Sequence, residues 1–543
     1  MKYPLPFTLV TILLSVSSLL ATSFYVDPVE GAQSNYGSIS SPWHTLEEVV
    51  ANGFIRSSAY QPLPYDAQSS KLTAFHVNAP IQPGDTLILL SGLHGSLFLK
   101  NYNNALPITL MAAPGESPVL EQVHLQACSN WILDGLIVSS EPYGHYLSDK
   151  LIYLESHGWQ GPTKNITIRN CHIYSTKSPW TNAADWVNKA SDGLFIKADS
   201  VLAQGNILEN VHFGLTASGD FIQAIGNHII NFSGDGMRLL GSHILFDGNT
   251  IKNCYDVDEN HDDGIQSFTT NGHVVDHNII RNNVILNFED PNQPLLGPLQ
   301  GIGCFDGFYN DWLIENNLIS VNHWHGITLL GANDCRIIHN TVIDPTPDEE
   351  PGPSWIRIDD HKDGRKSSNC VVANNIVNRI IADADTSGNF ELRTYQAYQE
   401  QFVDYTNYDF HLLAHSTLID RGSDFYGNDN DAEGTVRPQG AQVDPGCYEF
   451  SALTSLHSSI IASKSQLKLY PNPVANQLHL TTKLEWHHLV VCDVQGKPLI
   501  YLSQTNDPKT ATIDLTQLSS GVYWIKVISR NGETTGFGKF IKL

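Results

Sequence analysis

The chain has 543 residues, of which 41% are hydrophobic, and its formal net charge is −25. This length and apolar content allow at least two domains with a large core. The acidic balance excludes the basic surface on which nucleic-acid binding depends, so we expect no nucleic-acid partner. Eight cysteines are too few for a disulfide-dense scaffold.

The N-terminus has the pattern of a secretory signal peptide. Lys2 precedes an apolar run from Phe7 to Leu20, and three small residues follow at 21–23. The run is too short to span a membrane, so we expect cleavage near Ser23 and export of the mature protein. No later stretch reaches about 18 consecutive apolar residues, so we expect no transmembrane span.

The middle of the chain repeats one short pattern seven times. In each copy a small or turn residue leads into alternating apolar and polar residues, which is typical of a half-buried strand. The seven segments are 191–199, 213–220, 234–242, 262–270, 300–307, 325–332 and 354–360. A second series opens on Asn206, Asn227, Asn249, Asn283, Asn317, Asn340 and Asn375. The repeats predict an all-β solenoid with one turn per repeat, in which the asparagines stack as hydrogen-bonded side chains.

Alternation along the seven strands predicts which side chains face the core. We expect these to point inward: Leu194, Leu215, Met237, Ile265, Ile302, Ile327 and Ile356. We expect the next residues to point outward: Phe195, Thr216, Arg238, Gln266, Gly303, Thr328 and Arg357. A second outward column lies two residues later and contains Lys197, Phe268 and Phe305. Cations beside aromatic rings suit sugars and carboxylates, so these columns form a candidate binding strip.

Enlarged loops indicate where a cleft could lie. Most loops from an asparagine to the next strand have 8–9 residues, but those at 249–264, 283–301 and 340–355 have 15 to 18. A fourth insertion, at 178–191, brings Trp180 and Trp186 to the same corner of the solenoid. Loops on one edge of a rigid solenoid commonly build a binding site, so we expect a cleft beside the strip.

The loop 254–264 (CYDVDENHDDG) is the richest in ionisable side chains. As an acid–base cluster it would use Tyr255, His261, Asp262 and Asp263, because crowded carboxylates raise one another's pKa. As a calcium site it would use Asp256 and Asp258, although the glycine and distal glutamate of an EF-hand are missing. It could also be a solvated acidic turn. No other cofactor is predicted.

Two further groups have structural as well as functional interpretations. His323 and His325 flank Trp324, but they lack a third ligand for zinc. His325 suits either a hydrogen-bonded turn or contact with a substrate. The aspartates that precede glycine, at 192, 235 and 263, are turn formers by default.

The segments on either side of the repeats resemble known proteins. Residues 24–50 and the strands GDTLILLSGLHGSLFLKN, ALPITLMAAPGESPVL and NWILDGLIV resemble the start of secreted right-handed parallel β-helix proteins of the chondroitinase B-like and alginate lyase group. Within them, SPWHTLEEVV predicts a helix that covers the open end of the solenoid. Residues 417–450 resemble the closing segment of that group. The resemblance implies a right-handed parallel β-helix domain at 24–450.

The C-terminal region predicts a second, smaller β domain. Residues 451–465 are rich in serine and predict a linker. Residues 466–543 contain YPNP, DVQGK, LSSGVYWIKV and KFIKL, and as a set these resemble the C-terminal sorting domain of the type IX secretion system. This implies a small β-sandwich, type IX secretion machinery as a partner, a Bacteroidota-type exporter, and a secreted or outer-membrane surface-attached protein. The alternative is an ordinary carbohydrate-binding β-sandwich.

The resemblance implies a polysaccharide lyase that cleaves a uronate-containing chain by β-elimination. Such a reaction requires a cation for the carboxylate, a base and an acid. Arg238 or Arg357 could supply the cation, Lys197 or His261 the base, and His261 or Tyr255 the acid. Lyases of this group pair a lysine base with an arginine on neighbouring turns, whereas Lys197 and Arg238 lie two turns apart. The remaining candidates are assigned to substrate binding: Gln266, Phe268, Phe305, Trp180, Trp186 and His325.

Two other functions remain open. A glycoside hydrolase on the same fold would use Asp262 and Asp263 with another carboxylate. Polygalacturonase-like hydrolases have paired aspartates and a Gly-His-Gly motif, and only the aspartates are present here. A non-catalytic surface glycan-binding or adhesion protein would use the same strip without chemistry. In each case we expect a monomer.

Overall fold

The computed structural model describes residues 21–269 and 272–451 and parts of the C-terminal region. Those parts are 467–470, 474, 476–482, 486–492, 498–503, 509–518, 521–528 and 534–542. The chain divides into two compact units, Met1–Arg393 and Thr394–Leu543. The predicted signal peptide lies outside the described residues up to position 20, and so does the predicted linker from position 452. None of the described helices has the length and apolar character needed to cross a membrane.

Unit 1 is a parallel β-helix with three long sheets. Sheet 1 has 15 strands, namely Ser23–Val26, Ser57–Gln61, Lys71–Phe75, Thr86–Leu89, Asn103–Ala112, Ser129–Asp134, Lys164–Arg169, Asp199–Gln204, Gln223–Ile225, Leu245–Asp247, Ile279–Arg281, Leu313–Glu315, Arg336–Ile338, Val371–Ala373 and Asp385–Ser387. Sheet 2 has 12, namely Gly92–Leu93, Pro118–Leu120, Ile137–Val138, His172–Tyr174, Ile207–Val211, His228–Phe232, Thr250–Cys254, Val284–Leu286, Leu318–Ser320, Thr341–Ile343, Ile376–Val377 and Phe390–Glu391.

Sheet 3 contains all seven predicted repeat strands. Its 11 strands are Leu97–Lys100, Val123–Gln126, Lys150–Glu155, Asp192–Lys197, Leu215–Ala217, Met237–Leu239, Asp262–Phe268, Leu299–Asp306, His325–Leu330, Trp355–Asp359 and Arg379–Ala382. A side sheet adds Val274–Asp276, Phe308–Asn310 and Ala332–Asn333. Each turn passes from sheet 3 to sheet 1, then to sheet 2, and neighbouring turns pair in parallel. The predicted solenoid is confirmed.

The asparagine series forms a buried ladder at the corner between sheets 1 and 2. The side-chain nitrogen of Asn206 donates to Oδ1 of Asn227 at 2.9 Å, and Asn227 donates in the same way to Asn249 at 3.0 Å. The contact recurs through Asn375, which donates to Asn389. All seven predicted members are fully buried. Because a buried amide must find partners, the ladder both satisfies these groups and sets the register of successive turns.

The predicted inward and outward columns of sheet 3 are largely confirmed. All seven inward side chains are buried. The seven residues of the first outward column pair across successive turns, from Phe195 with Thr216 to Thr328 with Arg357. The second column departs from the prediction, because a register shift after Ser267 places Asp306 rather than Phe305 opposite Phe268. A local irregularity of this kind leaves no signal in the alternation of the sequence.

The described α-helices are short. They span Leu46–Ala51, Ala183–Lys189 and Tyr395–Gln401, and 3-10 turns span Glu141–Tyr143, Tyr405–Asn407 and Asp424–Tyr426. In the first helix, Oγ1 of Thr45 accepts a hydrogen bond from the backbone nitrogen of Glu48, which caps the N-terminus. Leu46 and Val49 of this helix are buried in the core of the solenoid. The predicted helix is therefore present, and it contacts the first strand of sheet 3.

Unit 2 contains antiparallel sheets. One pairs Phe402–Asp404 with Asp409–Leu412. A second contains Leu467–Tyr470, Gln477–Thr482 and Thr510–Asp514, and a third contains Pro498–Ser503, His488–Cys492, Gly521–Ile528 and Thr534–Lys542. Side chains of the last two sheets share one core, which includes Leu480, Trp486 and Phe540. This arrangement confirms the predicted small C-terminal β-sandwich.

Candidate active site

A repeated side-chain arrangement marks the outer face of sheet 3. In three turns of the solenoid, one residue lies directly before a buried glycine. Its side chain forms a hydrogen bond with the side chain three positions later in the sequence. Nε of Arg238 donates to Oδ2 of Asp235 at 2.5 Å, and Nε2 of Gln266 donates to Oδ2 of Asp263 at 3.1 Å. In a third turn, Nδ1 of His325 lies 2.9 Å from Oγ1 of Thr328. The outer face therefore carries a row of polar pairs along the axis of the solenoid.

Asp235 and Arg238 form a partly buried ion pair. The carboxylate of Asp235 is fully buried, and its Oδ1 accepts a hydrogen bond from the backbone nitrogen of Asp263 on the next turn. Burial raises the pKa of Asp235, although Arg238 opposes this effect. The guanidinium of Arg238 lies over the ring of Phe213, with 3.3 Å between its central carbon and the ring centroid. Arg238 is therefore held in one orientation by two contacts.

His261 and Asp263 form a dyad on the neighbouring turn. Nδ1 of His261 lies 3.2 Å from Oδ2 of Asp263, and the histidine side chain is 59% exposed while the aspartate is buried. The hydrogen bond to Asp263 raises the pKa of His261. Burial raises the pKa of Asp263 to about 6, and the nearby Asp235 carboxylate adds to this effect. The dyad thus presents a protonatable imidazole to solvent and fixes its ring from below.

Gly303 provides the space that this dyad needs. A Cβ at Gly303 would lie 2.1 Å from Oδ1 of Asp263 and 2.8 Å from the ring of Phe305. Oδ1 of Asp263 is itself buried and has no hydrogen-bond partner among the residues that the structure describes. A side chain at position 303 would therefore displace either the carboxylate or the aromatic ring.

Phe305 separates His261 from a second pair of histidines. Its ring centroid lies 6.4 Å from that of His261 and 4.7 Å from that of His325. Burial lowers the pKa of both His325 and His323 to about 4. The backbone nitrogen of His325 donates to Nδ1 of His323, which fixes that nitrogen as an acceptor. Near neutral pH, His261 is thus protonated far more readily than the neutral His325.

Aromatic rings continue the face beyond the histidines. The rings of Trp324 and Trp355 are nearly parallel, with an interplanar angle of 14° and centroids 6.3 Å apart. Their indole nitrogens donate to the carbonyl oxygen of Gly352 and to Oγ1 of Thr328, so both rings are fixed. Arg357 follows and is paired with Asp359 at 2.6 Å.

The structure places the other sequence-predicted residues away from this cluster. Lys197 is exposed at the end of its strand, two turns from Arg238. Asp262 faces the core, where its Oδ2 accepts from the thiol of Cys254 at 3.3 Å and burial raises its pKa to about 8. Phe268 is half-buried at the register shift.

The enlarged loops pack together beside the strip. Tyr255 and Trp186 are buried and share a small apolar cluster with the half-buried Trp180. Centroid distances of 4.7 Å and 5.3 Å join these three rings, with Trp186 in the middle. These ring contacts hold the two loops together. Burial in this cluster raises the pKa of the Tyr255 hydroxyl.

The predicted calcium residues lie apart from other ligands. Oδ1 of Asp258 accepts from the backbone nitrogen of Asn260, and Asp256 is half-buried near Gly297. Within 21–269 and 272–451, neither aspartate belongs to a set of three acidic or histidine side chains with ligand atoms within 4.8 Å of one another. The described residues therefore provide no set of three carboxylate or histidine ligands at the predicted calcium residues.

Asp235 and Phe213 are site residues that the sequence interpretation did not select. Because Asp235 precedes a glycine, the sequence alone predicts a turn residue there. Its signal lay in the segment Gly-Asp-Gly-Met-Arg, where Arg238 occupies the outward column three residues later. Phe213 carries no signal of its own, because its role depends on contact with Arg238 on the next turn.

Family models match two parts of the chain. Residues 152–391 match the right-handed β-helix region, and residues 468–542 match the secretion system C-terminal sorting domain. The protein is therefore a right-handed parallel β-helix protein with a type IX secretion sorting domain, and it is secreted or attached to the cell surface. No curated protein matches the chain.

Several solved structures are similar to the chain at low identity. Pectate lyase Pel9A is 15% identical with a TM-score of 0.44, and the match covers 79% of this chain and 96% of that chain. A GH136 lacto-N-biosidase from Eubacterium ramulus is 13% identical with a TM-score of 0.38, covering 68% of each chain. PfbA, a surface adhesin of Streptococcus pneumoniae, is 12% identical with a TM-score of 0.32, covering 57% of this chain and 80% of that chain.

Proposed function

We propose that the protein is a polysaccharide lyase that cleaves a uronate-containing chain on the outer face of sheet 3. The observation that carries the proposal is the pair of histidines on either side of Phe305. Hydrogen bonding raises the pKa of His261, whereas burial lowers the pKa of His325 to about 4. Two titratable groups whose environments move their pKa values apart are suited to act as an acid and a base.

β-Elimination assigns one role to each group. His325 takes the proton from C5 of the uronate, and the electron pair of that bond forms the C4–C5 double bond. The bond between C4 and O4 breaks, and His261 gives its proton to the departing oxygen. Nδ1 of His325 donates to Oγ1 of Thr328 in this scheme, which leaves Nε2 with the lone pair that a base requires.

Arg238 is the candidate partner for the uronate carboxylate. Its Nε is bonded to Asp235, and its terminal nitrogens make no hydrogen bond within the described part of the chain. A guanidinium held over Phe213 is preorganised to bind a second carboxylate. Because the net charge of −25 repels a polyanion at long range, such local cations are needed for binding.

The aromatic residues would position the sugar chain. Phe305 lies between the two histidines, and the fixed rings of Trp324 and Trp355 extend the same face. Neighbouring turns are about 4.8 Å apart, so successive sugars would lie along the axis of the solenoid. We therefore propose that the reacting sugar lies over Phe305 and the next sugars over the tryptophans.

A glycoside hydrolase is the second candidate, and one observation favours it. Asp235 and Asp263 lie on adjacent turns, and burial raises the pKa of both carboxyls. Most glycosidases use two carboxyls, of which the general acid has a raised pKa and the other acts as an ionised base or nucleophile. Both side chains are fully buried, however, so neither carboxyl is placed to contact a sugar directly.

The test compares the full chain with two variants on pectate, alginate, chondroitin and glucuronan. Lyase activity gives the ultraviolet absorbance of an unsaturated uronate product. We expect His261→Gln and His325→Gln each to lower kcat by roughly 10²–10⁴-fold, the usual contribution of a general acid or base. His228→Gln, an exposed histidine on sheet 2, is the matched control and should retain the wild-type rate.

Each other outcome has a distinct meaning. Reducing ends without the ultraviolet absorbance would favour the hydrolase. Neither signal on a broad glycan panel would favour a non-catalytic binding protein. Wild-type rates in both variants would show that the reaction does not use these histidines.

A further inference from the structure

A second cluster of histidines lies on a different corner of the solenoid. His243 and His277 occupy equivalent positions in successive turns, each just before a strand of sheet 1. Both have left-handed backbone conformations, with φ of 56° and 57°. Their rings stack at a centroid distance of 4.9 Å, and Phe221 stacks beneath His243 at 4.7 Å. The corner thus fixes two exposed imidazoles, one above the other.

Carboxylates accompany these histidines. Nδ1 of His277 lies 3.5 Å from Oδ2 of Asp276, and its Nε2 lies 3.5 Å from Oδ2 of Asp311. His243, Asp276 and His277 each offer one ligand atom within 4.8 Å of the others. Within residues 21–269 and 272–451, no lysine or arginine forms an ion pair with either carboxylate. Among the described residues these two carboxylates therefore have only His277 as an ion-pair partner, and the cluster offers both nitrogen and oxygen ligands.

We infer that this corner binds a divalent transition-metal cation through His243, His277 and Asp276. Two imidazoles and one carboxylate form a ligand set that suits zinc and similar ions better than it suits calcium or magnesium. When one ring nitrogen of His277 binds the ion, the other can donate its proton to a carboxylate such as Asp311. Carboxylates behind ligating histidines fix the ring and strengthen the site.

The site is separate from the candidate active site. His243 and His277 lie at the entrance to sheet 1, whereas His261 and His325 lie on the outer face of sheet 3. The exposure of the cluster leaves a coordination position for water or for a ligand from another molecule. Because a proton and a metal compete for the same imidazole nitrogen, the ion would hold both rings neutral.

The test measures bound zinc on the full chain. The protein is dialysed against zinc chloride, and zinc per chain is counted by atomic emission, with isothermal titration for the affinity. We expect one equivalent on this corner that is lost in His243→Ala and in His277→Ala. Asp311→Asn should weaken binding by roughly 10–100-fold while the stoichiometry is kept.

Controls separate this site from other histidines. His228→Ala and His323→Ala should bind as much zinc as the wild type. Far-UV circular dichroism of each variant establishes that the solenoid is intact, and glutamine at the same position replaces any histidine-to-alanine variant that misfolds. The inference is overturned if the wild type binds no zinc, if the His243 and His277 variants keep the full equivalent, or if His323→Ala loses it.

Discussion

Replacing Asp263 with asparagine should change stability and activity in opposite directions. Burial raises the pKa of this carboxyl from 3.8 to about 6, because the charged form is poorly solvated beneath His261. The folded protein therefore holds the proton more tightly than the unfolded chain does. Stability is lost as the pH rises from about 4 to about 6, where the unfolded chain has already released its proton.

The magnitude follows from the pKa difference. One pKa unit corresponds to about 1.4 kcal/mol, so a rise from 3.8 to about 6 costs the folded state roughly 3 kcal/mol above pH 6. Asparagine has the shape of the protonated acid and cannot ionise. Asp263→Asn should thus match the wild type near pH 4 and be more stable by up to about 3 kcal/mol near pH 8.

The assay is urea unfolding followed by circular dichroism near pH 4 and near pH 8. Glu259→Gln is the control, because it removes a charge from an exposed side chain of the same loop. Activity on any cleaved glycan should fall in Asp263→Asn, since His261 loses the charge that raises its pKa. A variant that is less stable at pH 8, or that gains equally at both pH values, would refute the reasoning.

Three further predictions concern the β-helix of unit 1 and a histidine of unit 2. Asn249→Ala removes two donated and two accepted ladder bonds and should destabilise unit 1 by about 4 kcal/mol in urea unfolding, whereas the exposed Asn292→Ala should have little effect. Gly301→Ala places a Cβ 2.1 Å from the carbonyl oxygen of Gly326 and should lower the free energy of unfolding by roughly 1–3 kcal/mol. Burial opposes protonation of His411, but bonds to two carboxylates outweigh it and raise its pKa to about 9. Its stabilising contribution is therefore complete below pH 6.5 and lost as the pH rises through about 9, so His411→Gln should destabilise near pH 6 and not near pH 10.

Much of the β-helix could be predicted from the sequence because each of its turns repeats the same short sequence pattern. Alternation and the asparagine spacing place equivalent residues at equivalent heights, so the inward column and the ladder follow directly. Parallel pairing between turns then fixes which outward residues are neighbours. For this reason the sequence predicts Arg238 and Gln266 as neighbours, and the two residues pair in adjacent strands.

The details of the site depend on contacts that alternation does not encode. Counting back from Ile265 would place Asp263 inward, yet its buried carboxylate contacts Gln266 and His261 on the outer side of the strand. Asp262 contacts the thiol of Cys254. Packing of Tyr255 against Trp186 joins two loops far apart in sequence, so neither loop alone reveals that these rings are buried.

The most direct test of the proposed reaction is mass spectrometry of the products formed in oxygen-18 water. Elimination by His261 and His325 breaks the C4–O4 bond without consuming water. We predict fragments that are unsaturated at the new non-reducing end and free of solvent oxygen at the moment of cleavage, and that form far more slowly in both histidine variants. Saturated fragments that have incorporated solvent oxygen would contradict the account and establish hydrolysis instead.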